Sequence, residues 1–84
     1  MKIYFNGFGA TKILSGYCIE VEKNSSVSAI KKKLITSIKT QDQYAGLNEL
    51  LLTTAFASDE CVFDDDEMIT QDMTLNLLPP VCGG

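Results

Sequence analysis

One stretch of helical periodicity stands between segments that alternate like β-strands. Its apolar residues recur three or four positions apart: Val27, Ile30, Leu34 and Ile38. Ser26 precedes them and can accept hydrogen bonds from the free amides of the first turn. The pattern predicts a single main helix from about Val27 to Lys39.

Two strands are predicted before this helix. Residues 2–8 are rich in β-branched and aromatic types, and glycines at positions 7 and 9 interrupt them. Residues 17–22 alternate between apolar and polar types, as in a strand with one buried face. The loop over residues 9–16 is short, so we expect the second strand to run antiparallel to the first.

The remainder of the chain is predicted to add strands. Residues 41–49 are polar and are predicted to form a connection with at most a short turn. Residues 50–57 and 61–63 are apolar on either side of a polar tripeptide, which predicts a hairpin. Residues 74–78 form the last predicted strand, and Pro79 and Pro80 then end it.

Strands around one amphipathic helix predict an α+β fold in which the helix covers one face of a sheet. A chain of 84 residues has room for one such domain. We expect residues 1–80 to form it and residues 81–84 to extend from it as a tail. The inner face of the sheet is predicted to contain six apolar residues: Ile3, Phe5, Ile19, Val21, Leu75 and Leu77.

The residue types that are absent restrict the chemistry. Without histidine, the chain cannot build a Ser-His-Asp or Cys-His catalytic unit. Without arginine and with a net charge of -4, it is not expected to bind nucleic acid. Cys18, Cys61 and Cys82 form no CxxC pair, so neither a structural metal site nor a disulfide framework is predicted.

The hydropathy pattern predicts no membrane association. The longest purely apolar run, residues 50–52, is far shorter than a bilayer span. The first residues form too short an apolar stretch for a signal peptide. We therefore expect a cytoplasmic protein.

Two charged runs have a simple and a functional interpretation. Residues 31–33 are three lysines that point in different directions on a helix, which favours a solvated face over a partner-binding patch. Residues 64–67 are four acids without the glycine and spacing of a calcium loop. They are interpreted as an acidic surface loop, with steering of a basic partner as the alternative. Apolar residues of the exposed sheet face would then form the main docking patch.

The C-terminal octapeptide, LLPPVCGG, contains the strongest functional signal. Pro79 and Pro80 stiffen the exit from the sheet and are expected to project Val81 to Gly84 away from it. Two glycines without Cβ atoms allow the backbone into a narrow slot. The reactive group of such a tip is the α-carboxylate of Gly84, which a partner could activate as an acyl adenylate and convert to a thiocarboxylate.

This ending and the β-β-α-β order resemble a known family. The chain resembles the ubiquitin-like β-grasp sulfur carriers, and LLPPVCGG resembles the ending of molybdopterin synthase small subunits, the MoaD family. The resemblance implies a sulfur carrier in molybdenum cofactor biosynthesis that is not an enzyme on its own. Gly84 would carry the sulfur, and Pro79, Pro80, Val81, Cys82 and Gly83 would enter the partner.

The resemblance also implies partners. A ubiquitin-activating-like adenylyltransferase, similar to MoeB, would use ATP to activate Gly84, and a persulfide donor would supply sulfur. A large synthase subunit, similar to MoaE, would receive the tail and hold the cyclic pyranopterin monophosphate precursor. No permanently bound cofactor and no metal are implied for the chain itself.

Three other functions remain open. The chain could be a thiazole-synthesis sulfur carrier, although those carriers are usually shorter and lack the double proline. It could be a ubiquitin-like modifier that forms isopeptide bonds, or an adaptor whose tail is incidental. Cys82 could react with an activated terminus, but a small tolerated residue is the favoured interpretation because no nearby positive charge would lower its pKa.

Overall fold

The fold is given by a computed structural model that describes residues 1–80. The predicted tail residues Val81, Cys82, Gly83 and Gly84 lie outside the described residues. The regular elements, in chain order, are β1 (Lys2–Gly7), β2 (Cys18–Glu20), β3 (Ser25–Ser26), α1 (Val27–Ile38), α2 (Leu47–Leu52), β4 (Ala55–Ala57), β5 (Met68–Ile69) and β6 (Met73–Leu78). Short 3₁₀ helices occupy Gly9–Leu14 and Asp42–Tyr44.

The main sheet has four strands in the order β2-β1-β6-β4. The central strands β1 and β6 run parallel, with Ile3 beside Met73 and Gly7 beside Leu77. β2 pairs with β1 and β4 pairs with β6, both antiparallel. This mixed sheet with one main helix packed on it confirms the predicted α+β architecture of a β-grasp.

Helix α1 begins where the sequence predicts. The Ser26 hydroxyl accepts a hydrogen bond from the Ala29 amide at 3.1 Å, which satisfies one of the free donors of the first turn. The predicted apolar stripe is buried along its whole length: Val27, Ile30, Leu34 and Ile38. All six residues predicted for the inner face of the sheet are buried as well. The helix stripe and the sheet therefore share one core.

The segment between α1 and β5 differs from the prediction. Residues 50–52 were predicted to begin a hairpin, but they belong to α2, which starts after Gly46 and buries Leu51. The second half of the predicted hairpin is present: β4 is limited to Ala55–Ala57, Ala57 bridges Val62, and the Phe63 amide donates to the Phe56 carbonyl at 2.9 Å. A short apolar run does not distinguish a strand from one helical turn, and burial of Leu51 in the core favours the helix.

A second, two-stranded sheet ties the acidic loop to the start of α1. β3 pairs antiparallel with β5, Ser26 lying beside Met68. The amides of Val27 and Ser28 donate to the carbonyl oxygens of Glu67 at 2.9 Å and Asp65 at 2.8 Å. These bonds satisfy two more first-turn donors of α1. The acidic loop is thus fixed to the amino end of α1 through its backbone.

Truncation of the helix stripe should destabilise the domain strongly. Leu34 is fully buried, so the Leu34→Ala substitution is expected to lower the free energy of unfolding by ~2 to 5 kcal/mol. Lys33→Ala, its exposed neighbour in the same helix, should change it by no more than ~0.5 kcal/mol. Urea denaturation of both variants measures the difference. An unchanged midpoint for Leu34→Ala would refute the core assignment.

Candidate functional site

The chain leaves the sheet beside the end of β1. Because β1 and β6 are parallel, their last residues lie at the same edge, where Gly7 pairs with Leu77. β6 ends at Leu78, and the two prolines follow directly, with Pro79 half-buried and Pro80 exposed. The structure therefore places the predicted exit from the sheet at the carboxyl end of its two central strands.

A buried threonine joins the ends of both central strands. The hydroxyl oxygen of Thr11 accepts a hydrogen bond from the Phe8 amide at 2.9 Å. The same oxygen lies 2.8 Å from the carbonyl oxygen of Leu77, to which the hydroxyl can donate. Thr11 is fully buried, and its bond to Leu77 is shielded from water, whereas its bond to the Phe8 amide is partly buried. The bond to Leu77 fixes the end of strand β6. Nothing in the sequence of residues 9–16 predicts this role for Thr11.

The 3₁₀ helix that carries Thr11 packs closely on the exit. A Cβ atom at Gly7 would lie 1.9 Å from the carbonyl oxygen of Thr11, so only glycine permits this approach. A Cβ atom at Gly9 would lie 4.0 Å from the ring of Pro79. The exit is thus bounded on one side by backbone of the turn.

Apolar side chains gather around the exit. Strand alternation places Phe8 and Leu78 on the face opposite the core, and Phe8 is 45% exposed. We call Phe8, Leu78 and Pro79 the exit rim. Ile13, on the neighbouring turn, is also exposed. A cluster of exposed apolar residues is a feature of interaction surfaces.

The centre of the exposed sheet face is polar. Asn6 and Asn76 face each other across β1 and β6, with their side chains 3.4 Å apart. The Asn76 amide also donates to the Asp59 carboxylate at 3.2 Å. The expected apolar patch does not cover the centre of the exposed face: Tyr4 is an exposed aromatic residue in this polar region, and Val62 is exposed at the β4 edge.

The acidic loop does not adjoin the exit rim. Residues 64–67 are all exposed, and their backbone is bonded to the amino end of α1. At the other end of α1, the Ser37 hydroxyl contacts the Tyr17 hydroxyl. The Tyr17 carbonyl in turn accepts a hydrogen bond from the Phe5 amide of β1. The helix runs in the direction of β1 and, with twelve residues, is ~18 Å long. The two surfaces expected to act in docking are thus at opposite ends of the domain.

One of the three adjacent lysines has a structural role. The Lys31 ammonium lies 3.5 Å from the Asp65 carboxylate and 5.2 Å from the centre of the Phe56 ring. Its side chain is only 16% exposed. Lys32 and Lys33 are exposed, as expected for a solvated helix face.

Residues 1–80 contain few other groups that could form a reactive or ligand-binding site. Cys18 and Cys61 are exposed free thiols. Within residues 1–80 no group of three or more His, Cys, Asp or Glu side chains could hold a metal ion. The same residues include no helix that is long and apolar enough to cross a membrane.

Comparison with known proteins assigns no family. A scan of the chain against protein-family models gives no match, and neither does a search of curated proteins.

Proposed function

We propose that the protein is the sulfur carrier subunit of a molybdopterin synthase. Gly84 would carry sulfur as a C-terminal thiocarboxylate and deliver it to the cyclic pyranopterin monophosphate precursor. Two deliveries would build the dithiolene that holds molybdenum. The protein would be a carrier acting in the cytoplasm, and the large subunit would complete the catalyst.

The observation that carries the proposal is the exit from the β-grasp sheet. β6 is a central strand, bonded on both sides, and it leads through Pro79 and Pro80 to the glycine pair of the sequence. Thr11 fixes the carbonyl of Leu77, two residues before Pro79. A rigid exit suits a carrier, because it limits the volume that a reactive terminus must search before it enters a partner.

The proposed chemistry takes place on the Gly84 carboxylate. The carboxylate attacks the α-phosphate of ATP in the adenylyltransferase, and pyrophosphate leaves. The terminal sulfur of the persulfide donor then attacks the acyl carbon, and AMP leaves. A thiol cleaves the resulting acyl disulfide and releases the thiocarboxylate, which is the nucleophile toward the precursor.

Acid-base groups for the delivery step are assigned to the large subunit. This chain has no histidine, the residue most often used for proton transfer. The Thr11 hydroxyl at the exit is buried and bonded to backbone. The chain therefore contributes the nucleophile and the docking surface.

The exit rim is the proposed contact with the MoaE-like large subunit. Phe8 is a large apolar side chain that a partner can cover, and aromatic residues are enriched among those that dominate binding energies. Tyr4 offers a matched comparison, because it is an aromatic residue of β1 on the same face with nearly equal exposure, 43% against 45%. It lies among polar neighbours and not in the exit rim.

Reconstitution tests both the function and the docking surface. Thiocarboxylated protein, a large subunit and the precursor should yield molybdopterin. Phe8→Ala should raise the carrier concentration needed for half-maximal synthesis by about tenfold or more, whereas Tyr4→Ala should leave it nearly unchanged. Equal effects of both substitutions would refute the exit rim as the docking surface.

The thiocarboxylated protein also distinguishes between the proposed function and the rival functions. Sulfur transfer to a thiazole precursor, with none to the pyranopterin, would assign the chain to thiazole synthesis. A covalent conjugate between Gly84 and lysines of other proteins would support the ubiquitin-like modifier. Either result without molybdopterin formation would contradict the proposal.

A further inference from the structure

The ladder between β1 and β6 continues past its last backbone pair through a side chain. That last pair is Gly7 with Leu77. The Phe5 amide bonds on the β2 side, to the Tyr17 carbonyl, and alternate residues of a strand direct their backbone groups to opposite sides. Phe8, three residues after Phe5, therefore directs its amide toward β6. The acceptor next in line on β6 is the Leu77 carbonyl.

The Thr11 hydroxyl bonds to both this donor and this acceptor. Its oxygen accepts from the Phe8 amide at 2.9 Å and lies 2.8 Å from the Leu77 carbonyl oxygen. The Phe8 carbonyl is a second acceptor within reach, at 3.0 Å, but it already accepts from the Thr11 amide at 3.1 Å. The hydroxyl has one proton to donate. The shorter and more buried bond, to Leu77, is therefore the favoured arrangement.

The two groups that this hydroxyl connects have different tasks in the proposed function. Phe8 is the side chain of the exit rim that is proposed to dock on the large subunit. Leu77 lies two residues before Pro79, from which the sequence continues to Gly84. One buried hydroxyl thus fixes the docking residue relative to the start of the tail.

The turn in turn fixes the position of Thr11. The Ser15 hydroxyl accepts from the Gly7 amide at 3.0 Å, which ties the far end of the turn to β1. The backbone of Thr11 packs directly on Gly7, where a Cβ atom would lie 1.9 Å from the Thr11 carbonyl oxygen. A β-branched side chain also has restricted χ1 rotation. The hydroxyl is therefore held in one place between the two strand ends.

We propose that Thr11 is a positioning residue that couples docking at Phe8 to entry of the tail into the large subunit. The inference rests on the proposed function. Once Phe8 is docked, a fixed exit holds the tail near its slot at a high effective concentration. Without the hydroxyl, Phe8 still docks but the tail searches a larger volume. The reaction at Gly84 is the same after the tail has entered, so only the carrier concentration needed for synthesis changes.

A double-mutant cycle in the reconstituted synthase tests this coupling. Thr11→Val keeps the shape of the side chain and removes the hydroxyl. It should raise the concentration of thiocarboxylated carrier needed for half-maximal synthesis by about fivefold, the effect of one hydrogen bond, and leave the maximal rate unchanged. In a Phe8→Ala chain the same substitution should have little effect, because no docked side chain remains to be coupled to the tail. Thr11→Ser keeps the hydroxyl and should behave like the wild type.

NMR detects the hydrogen bonds themselves, independently of sulfur transfer. In Thr11→Val the Phe8 amide loses its hydroxyl acceptor and should exchange faster with solvent, and the order parameter of the Leu78 amide should fall. Ser26→Ala is the control for lost stability, because it removes one side-chain hydrogen bond at the amino end of α1, away from the exit. It should lower the urea midpoint without changing either NMR signal or the half-maximal concentration.

Three results would overturn the coupling while the wild-type chain remains active. They are equal effects of Thr11→Val with and without Phe8, unchanged exchange of the Phe8 amide, and a rise in the half-maximal concentration with Ser26→Ala. The last of these would mean that synthesis follows stability alone. No synthesis by the wild-type chain would instead overturn the proposed function and the coupling together, so the two failures are distinguishable.

Discussion

A chain with one alanine added after Gly84 is expected to form no thiocarboxylate. The addition moves the terminal carboxylate by about 3.3 Å or more and puts an amide where the acid was. The activating enzyme would then place an unreactive group at its catalytic position. The extended and native chains are incubated with the adenylyltransferase, ATP and a persulfide donor, and intact masses are measured.

The extension should leave the domain intact, because the buried core found within residues 1–80 extends from Ile3 to Leu77. A removable extension supplies the control: proteolytic release of the native terminus should restore thiocarboxylate formation. Gly83→Ala should give an intermediate rate, since it narrows the accessible backbone angles and adds a Cβ within the partner's slot. Full activity of the extended chain would refute Gly84 as the reacting residue.

The second large effect is expected at Gly7, where the turn meets β1. Gly7→Ala would bring its Cβ to 1.9 Å from the Thr11 carbonyl oxygen and 2.9 Å from the Lys12 nitrogen. Both contacts are with backbone, so the turn must move, and this movement is expected to weaken the bond from Thr11 to Leu77. We expect the free energy of unfolding to fall by about 3 kcal/mol.

Gly16→Ala is the matched control for that substitution. Gly16 has a φ of +86° and no atom within 4 Å of its Cβ position, so only the left-handed backbone opposes a side chain. Gly16→Ala should lower the free energy of unfolding by about 1 to 2 kcal/mol. Urea denaturation compares the two variants. A smaller loss for Gly7→Ala than for Gly16→Ala would contradict the close packing of the turn on β1.

The elements with strong periodicity were predictable from sequence. The stripe from Val27 to Ile38 determined α1, and the alternation of residues 17–22 determined β2, because side-chain burial follows the period of each element. Ser26 marked the helix start for the same local reason, since it caps the first turn. These features depend on interactions between residues near each other in the chain.

The elements that were missed depend on distant contacts. Helix α2 is a single short element whose Leu51 is buried by the core, and β3 and β5 are two residues each. Thr11 acquires its role only because β6, more than sixty residues later, ends beside it. Such juxtapositions leave no periodic signal in the sequence.

Sulfuration of the native terminus tests the central claim most directly. The protein, a MoeB-like adenylyltransferase, ATP and a persulfide donor are combined, and the C-terminal peptide is analysed by mass spectrometry. The proposal predicts that one oxygen of the Gly84 carboxylate is replaced by sulfur and that omission of ATP prevents it. In a parallel reaction, the activating enzyme must sulfurate its own carrier. If Gly84 stays unmodified under the same conditions, this result contradicts the sulfur-carrier function.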